Sequence, residues 1–252
     1  MQEKLKSEGK CLFCGKMYAK AGINRHLITH LNEKENRDGV SFLLKVEPNS
    51  RWGKSLYFLS LWVDGETTLK QLDKFLREIW LECCGHLSAF RYKERGNPTM
   101  NFNSLLKSLS QTPRVSTGKF GEISFQKKAK ELFYPDMKLD YEYDFGSSTD
   151  LEISVVASFP CKADKKIALL SRNEPLEIMC SICGEVPATQ ICTVCMYDDD
   201  ALFCDRCASK HAEKCEDFAD YAALPVVNSP RMGVCAYTGG VIDTERDGVF
   251  VL

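Results

Sequence analysis

Between residues 180 and 215 the chain spaces seven cysteines and one histidine as Cys180-x2-Cys183-x8-Cys192-x2-Cys195-x8-Cys204-x2-Cys207-x3-His211-x3-Cys215. A C-x2-C pair binds one zinc from a single tight turn, and eight such ligands make two tetrahedra with none left over. A segment this short buries too little apolar surface to fold unaided. Structural zinc, which contributes about 10–16 kcal/mol in finger peptides, would supply the folding free energy instead. Thiolate-rich, fully occupied sites leave no open position for water, so this pattern points to structural rather than catalytic metal. Spacing alone leaves two pairings open: first four and last four ligands, or pairs that alternate along the chain.

A smaller set lies near the start. Cys11 and Cys14 form another C-x2-C pair, and His26 and His30 stand at i and i+4, where they project from one face of a helix. Tyr18 and Ile23 sit where so small a unit needs its core side chains. Residues 9–31 resemble a two-cysteine, two-histidine zinc finger of ββα type, with one residue fewer than usual between Cys14 and His26. Three Zn2+ ions per chain are therefore expected. By that resemblance the base-facing positions fall on Ala19, Gly22 and Arg25, of which only Arg25 can make a bidentate base contact. Residues 1–30 carry six basic side chains against two acidic, a net +4, which suits salt-sensitive phosphate contact through Lys16, Lys20 and Arg25. A lone finger buries only about 600–1,000 Å² on DNA, too little for tight specific binding by itself.

The thirteen cysteines are odd in number, and the start of the sequence has no apolar signal region, so a reducing, cytoplasmic setting is expected. No stretch approaches the roughly 18 apolar residues of a membrane span. Net charge is −2 overall but uneven: residues 180–220 hold nine acidic side chains against three basic, a balance of −6. Seven thiolates with two Zn2+ would add a further −3. Such a module repels a phosphate backbone and suits a protein partner. It resembles the MYND and B-box modules, and that resemblance implies interleaved pairs: Cys180, Cys183, Cys204 and Cys207 on one ion, Cys192, Cys195, His211 and Cys215 on the other.

Between the metal sets, residues 39–171 read as a compact α+β domain with an antiparallel sheet and one main helix; residues 1–38 form the finger and a linker from Leu31 to Asp38, 172–220 the acidic module, and 221–252 a tail packing on the core. Ser41–Val46 and Leu56–Val63 read as strands, the second apolar on both faces. Thr68 to Cys83 has helical apolar spacing, with a Thr68/Gln71 capping box at its start and Gly85 beyond its end. Leu139 to Phe145 alternates, turns at Gly146-Ser147-Ser148 and alternates back through Leu151, Ile153 and Val155, as a hairpin does. Residues 123–134 suggest a second helix stopped by Pro135.

The segments Thr67 to Phe90 and Tyr141 to Ile153 resemble the plasmid pRiA4b open-reading-frame-three-like family, and the tail Leu224 to Cys235 is similar to tails found with zinc-bearing members. The resemblance implies an α+β fold with one antiparallel sheet and an association with prokaryotic mobile elements, but no established activity. Where relatives continue Tyr-Asp-Phe-Gly with an acidic residue, a Trp and a His, this chain has Ser147, Thr149 and Leu151. Cys83, Cys84 and His86 look reactive, yet Cys83 continues the apolar helix face, so core packing is expected for both cysteines. Asp140, Glu142 and Asp144 share one strand face and read as solvated. Cys161 and Cys235 read as spare thiols. No catalytic and no organic-cofactor residues are assigned. The expected function is a non-enzymatic zinc adaptor or regulator acting through protein contacts, with a mobile-element nucleic-acid binder, aided by Lys127, Lys128 and Lys130, as the alternative and an enzyme of unknown class as a third.

Overall fold

The structure, a computed structural model, describes residues 5–34, 38–49, 55–93, 121–197 and 201–247. Its centre is a six-stranded antiparallel sheet of β3 (Ser41–Pro48), β4 (Leu59–Asp64), β5 (Ser88–Tyr92), β6 (Lys138–Tyr143), β7 (Thr149–Phe159) and β8 (Ile167–Arg172), in the order β5-β6-β7-β3-β4-β8. The fold is thus α+β. Strand β4 is buried at every position because both faces of the sheet are covered. Phe42, Leu44, Val46, Leu59, Leu61 and Val63 point to one side, where they meet Leu69, Leu72 and Leu76 of helix α2 (Leu69–Leu76). Leu43 and Trp62 point to the other and meet Ile23, Leu27 and Leu31 of helix α1 (Ile23–Asn32). The period-2 alternation of strand side chains therefore divides one apolar run between two cores.

Helix α2 begins as its sequence dictates. Thr68 Oγ1 accepts from the Gln71 N–H, and the Gln71 side chain returns to the Thr68 N–H. The other orphan amides of its first turn are also met: Leu69 and Lys70 N–H donate to the carbonyls of Lys127 and Phe125. That use of its backbone explains why residues 123–134 are not the continuous helix expected. Only the single turn Ala129–Leu132 is helical, and the preceding stretch makes a turn between isolated bridges of Glu122 to Arg91 and Lys128 to Thr68. Past Leu76 the main helix widens into a π-type turn, Arg77–Leu81, and ends before Cys83. Cys83 thus does not continue the helix face.

The predicted hairpin is β6–β7, in register from Tyr143↔Thr149 to Lys138↔Ser154. Asp140 pairs with Lys93, and Glu142 with Arg91. Asp144 departs from the expected solvated face: it sits at the turn with φ 66°, buried, its carboxylate 2.7 Å from Arg231 Nη2. Leu31, expected to open the linker, instead closes α1 and is buried.

The N-terminal hairpin, β1 (Glu8–Lys10) and β2 (Met17–Ala19), leans on β8. Gly9 is required there: a Cβ would lie 2.6 Å from the Arg172 carbonyl oxygen. A separate three-stranded sheet in the C-terminal module orders β10 (Leu202–Phe203), β9 (Gln190–Cys192) and β11 (Ala223–Pro225), so the start of the tail belongs to that module. The rest of the tail returns to the central sheet. Arg172, fully buried, donates to the Asn228 carbonyl and to Asp247; Ser229 Oγ donates to the Trp80 carbonyl, and the Val241 N–H to the Glu78 carbonyl. The apolar end Val249–Leu252 and the acidic run Asp198–Asp200 lie outside the described residues.

Candidate metal centres

The N-terminal ligands converge as their spacing requires. The turn after Cys11 is closed by the Gly15 N–H donating to the Cys11 carbonyl, with Gly15 at φ 73°, a left-handed conformation that glycine adopts freely. Helix α1 then carries His26 and His30 one turn apart. Their Nε2 atoms lie 3.1 Å from one another, and His26 Nε2 lies 3.2 Å from Cys14 Sγ. Tyr18 stacks on His26 at 4.1 Å, and Phe13 packs against His30 at 5.1 Å, which fixes both rings. Burial, then His30 and Lys16, hold His26 below the ordinary imidazole value and favour the neutral form that binds metal.

In the C-terminal module the sulfurs assemble in the interleaved order. Cys180, Cys183, Cys204 and Cys207 form one group; Cys192, Cys195, His211 and Cys215 form the other, and within each the donor atoms lie within 4.8 Å of one another. A C-x2-C-Gly turn recurs at Cys180, with the Gly184 N–H donating to the Cys180 carbonyl and Gly184 at φ 63°. The helix Asp205–Ala212 contributes Cys207 to one group and His211 to the other, so it braces both. Phe203 stacks on His211 at 4.3 Å and Phe218 meets its ring at 4.9 Å.

The donor chemistry fits zinc. A tetrahedron with Zn–S bonds near 2.3 Å has edges of roughly 3.8 Å. Cys183 and Cys204 sulfurs are 3.9 Å apart, and Cys195 Sγ is 3.7 Å from His211 Nε2. The surroundings shift individual thiols of the two groups in opposite directions. Burial raises Cys180, but the amides of Cys183, Cys204 and Ile182 outweigh it and bring that thiol to about 6. Cys195 is pushed up to about 12, by burial and then by the Cys192 and Cys215 sulfurs beside it. Thiolates packed this closely repel one another, and a divalent cation between them would offset that repulsion.

A fourth group was not legible in the sequence. Cys83, Cys84 and His86, which follow α2, meet Cys235 of the tail, again with donors within 4.8 Å of one another. Cys84 is exposed, contrary to the core packing expected of it, and Cys235 is not a spare thiol but part of this group. The signal was absent because 149 residues separate His86 from Cys235 and no C-x2-C turn marks the place. Cys161 remains outside every group, buried beside Ser41.

The basic side chains differ in what they touch. Lys16 and Arg25 are exposed. Lys20 is pinned to Glu47 and to the Ser55 and Tyr57 carbonyls, and Lys128 and Lys130 both pair with Glu66. Among the described residues, no helix is long and apolar enough to cross a membrane.

Comparison with known proteins adds little to this geometry. No family profile matches the chain, and no curated protein is significantly similar to it. A crystal structure of a protein of unknown function, MM3350 from Methanosarcina mazei Go1, is similar over 54% of this chain and 68% of that one, at 14% identity and a TM-score of 0.37. So weak a likeness assigns neither function nor family, and the chemistry found among the described residues is that of four Cys/His groups, each able to hold a metal ion.

Proposed function

We propose that the protein is a non-enzymatic zinc adaptor whose acidic C-terminal module docks on another protein. The observation that carries this reading is the surface of that module. Ile182, Val186, Val194, Tyr197 and Tyr221 are exposed, Tyr197 at 90%, on a segment whose side chains balance at −6. Exposed aromatic and aliphatic groups among acidic ones favour a protein surface with basic and apolar character, and they disfavour nucleic acid. Zinc is the metal this reading assigns to the three Cys/His groups expected from the sequence, that of Cys11, Cys14, His26 and His30 and the two of the C-terminal module. A reducing compartment such as the cytoplasm is part of it, supported by all thirteen cysteines being free thiols. Kinship of the central domain with the pRiA4b open-reading-frame-three-like family belongs to the same proposal and rests on the quoted motifs.

The test is affinity capture from the native cell after cross-linking. Wild-type protein should recover a defined partner that a Tyr197→Ser, Tyr221→Ser double variant does not. Equal recovery by both would count against the module as the docking surface. The second reading, nucleic-acid binding through the finger, keeps the exposed Lys16 and Arg25 on a segment of net +4. It predicts salt-dependent retention on duplex or single-stranded DNA that falls several-fold in a Lys16→Ala, Arg25→Ala variant. Retention that those changes leave untouched would remove it.

A further inference from the structure

We propose that Cys83, Cys84, His86 and Cys235 form a fourth zinc site, which staples the C-terminal tail to the end of the central sheet. The Cys235 sulfur lies 3.7 Å from Cys84 Sγ and 3.5 Å from His86 Nε2. Those separations match the edges of a zinc tetrahedron and are far from the roughly 2.05 Å of a disulfide bond. Three thiols and an imidazole also repeat the donor set of the group formed by Cys192, Cys195, His211 and Cys215.

Apolar packing does not explain the convergence, because Cys84 and Cys235 are exposed. The backbone is bent to achieve it at both ends. Gly85 takes φ 77°, which turns His86 back toward the two cysteines before β5 begins. Cys235 takes φ 54°, a left-handed conformation that is unfavourable for a residue with a Cβ and persists where the surroundings enforce it. Charge is partly offset as well. Three thiolates with one Zn2+ leave −1, and the fully buried Arg231 places Nη2 3.4 Å from Cys83 Sγ while also pairing with Asp144. His86 Nε2 is 3.6 Å from the same Asp144 carboxylate, and the ring stands edge-on to Tyr143. Arg231, four residues before Cys235, thus brings the tail to the hairpin end from inside the fold, and the metal would close it from outside. On binding, each of the three thiols gives up its proton to solvent as its sulfur bonds to zinc, with no change of oxidation state.

Native mass spectrometry of the full chain, purified with reductant and loaded with zinc alone, tests this directly. Wild-type protein should carry four zinc ions, Cys235→Ser and Cys84→Ser three each, and Cys161→Ser still four. Should Cys235→Ser fail to fold, His86→Ala gives the same reading from the other segment. The variants at this site should also cleave faster within residues 226–247 under limited proteolysis, which a metal bound elsewhere would not produce. Three ions on the wild type, or four on Cys235→Ser, would overturn the proposal; so would a Cys84–Cys235 disulfide in protein kept under reductant. Failure of the C-terminal module is distinguishable, because Cys204→Ser should remove two ions together and leave this one in place.

Discussion

The finger and the C-terminal module present the same kind of ligands in opposite surroundings. Helix α1 buries Ile23, Leu27 and Leu31 against Leu43, Phe58, Trp62, Phe159 and Leu170, so the finger shares a core with the large apolar side chains of the sheet. In the C-terminal module one buried cluster is half ligands, Cys180, Cys192, Cys204 and Cys207 with Phe203, Ala208, Phe218 and Ala222, and a second holds only the small set Ala188, Ile191, Ala201 and Val226. In the finger, metal and packing are two supports for one helix. In the module, the ligands themselves make up much of the core, and the apolar side chains beside them are few. Coordination by a zinc finger motif therefore says little about how much a segment depends on its ion; what lies behind the ligands decides that.

This contrast can be broken at several places. The largest effect is expected from Cys204→Ser, which opens one tetrahedron and forfeits much of the about 10 kcal/mol that a structural zinc contributes. Residues 180–197 and 201–222 should lose their ordered amides in NMR spectra while β3, β4 and β7 keep theirs; ordered amides throughout would show that packing suffices there. Asp144→Asn should cost about 3 kcal/mol in urea unfolding, because it leaves the buried Arg231 guanidinium without its carboxylate. Leu27→Ala sharpens the finger side of the comparison. It should lower the stability of the central sheet by about 2–4 kcal/mol, and an unchanged urea midpoint would mean that the finger is not part of that core. Thr68→Ala, remote from both metal regions, should cost only about 1 kcal/mol through the lost cap and leave zinc content unaltered.

What could be read in the sequence follows the same physical division. Local periodicities were legible: the two-faced apolar strand at β4, the Thr68/Gln71 cap and the alternating β6–β7 hairpin all depend on neighbours a few residues away. The C-x2-C turns were legible for the same reason. Residues 123–134 misled because their helical apolar spacing competes with a tertiary demand, the unmet amides of α2, which draw the Lys127 and Phe125 carbonyls out of any helix of their own. Asp144 looked solvated because strand alternation was extended one residue too far, into a left-handed turn position. The buried Arg172 and Arg231, and the meeting of Cys235 with Cys83, Cys84 and His86, had no local signature at all. Each joins segments far apart in the chain, which only the folded sheet brings together.

Hydrogen exchange across the whole chain, before and after zinc is withdrawn by a chelator under reducing conditions, weighs metal against packing most directly. Amides of residues 180–197 and 201–222 should fall to the rates of an unfolded chain, while those of residues 23–32 retain much of their protection through the sheet behind them. If the two regions lost protection to the same degree, or if residues 180–197 and 201–222 stayed protected without metal, the two regions would not differ in their dependence on metal.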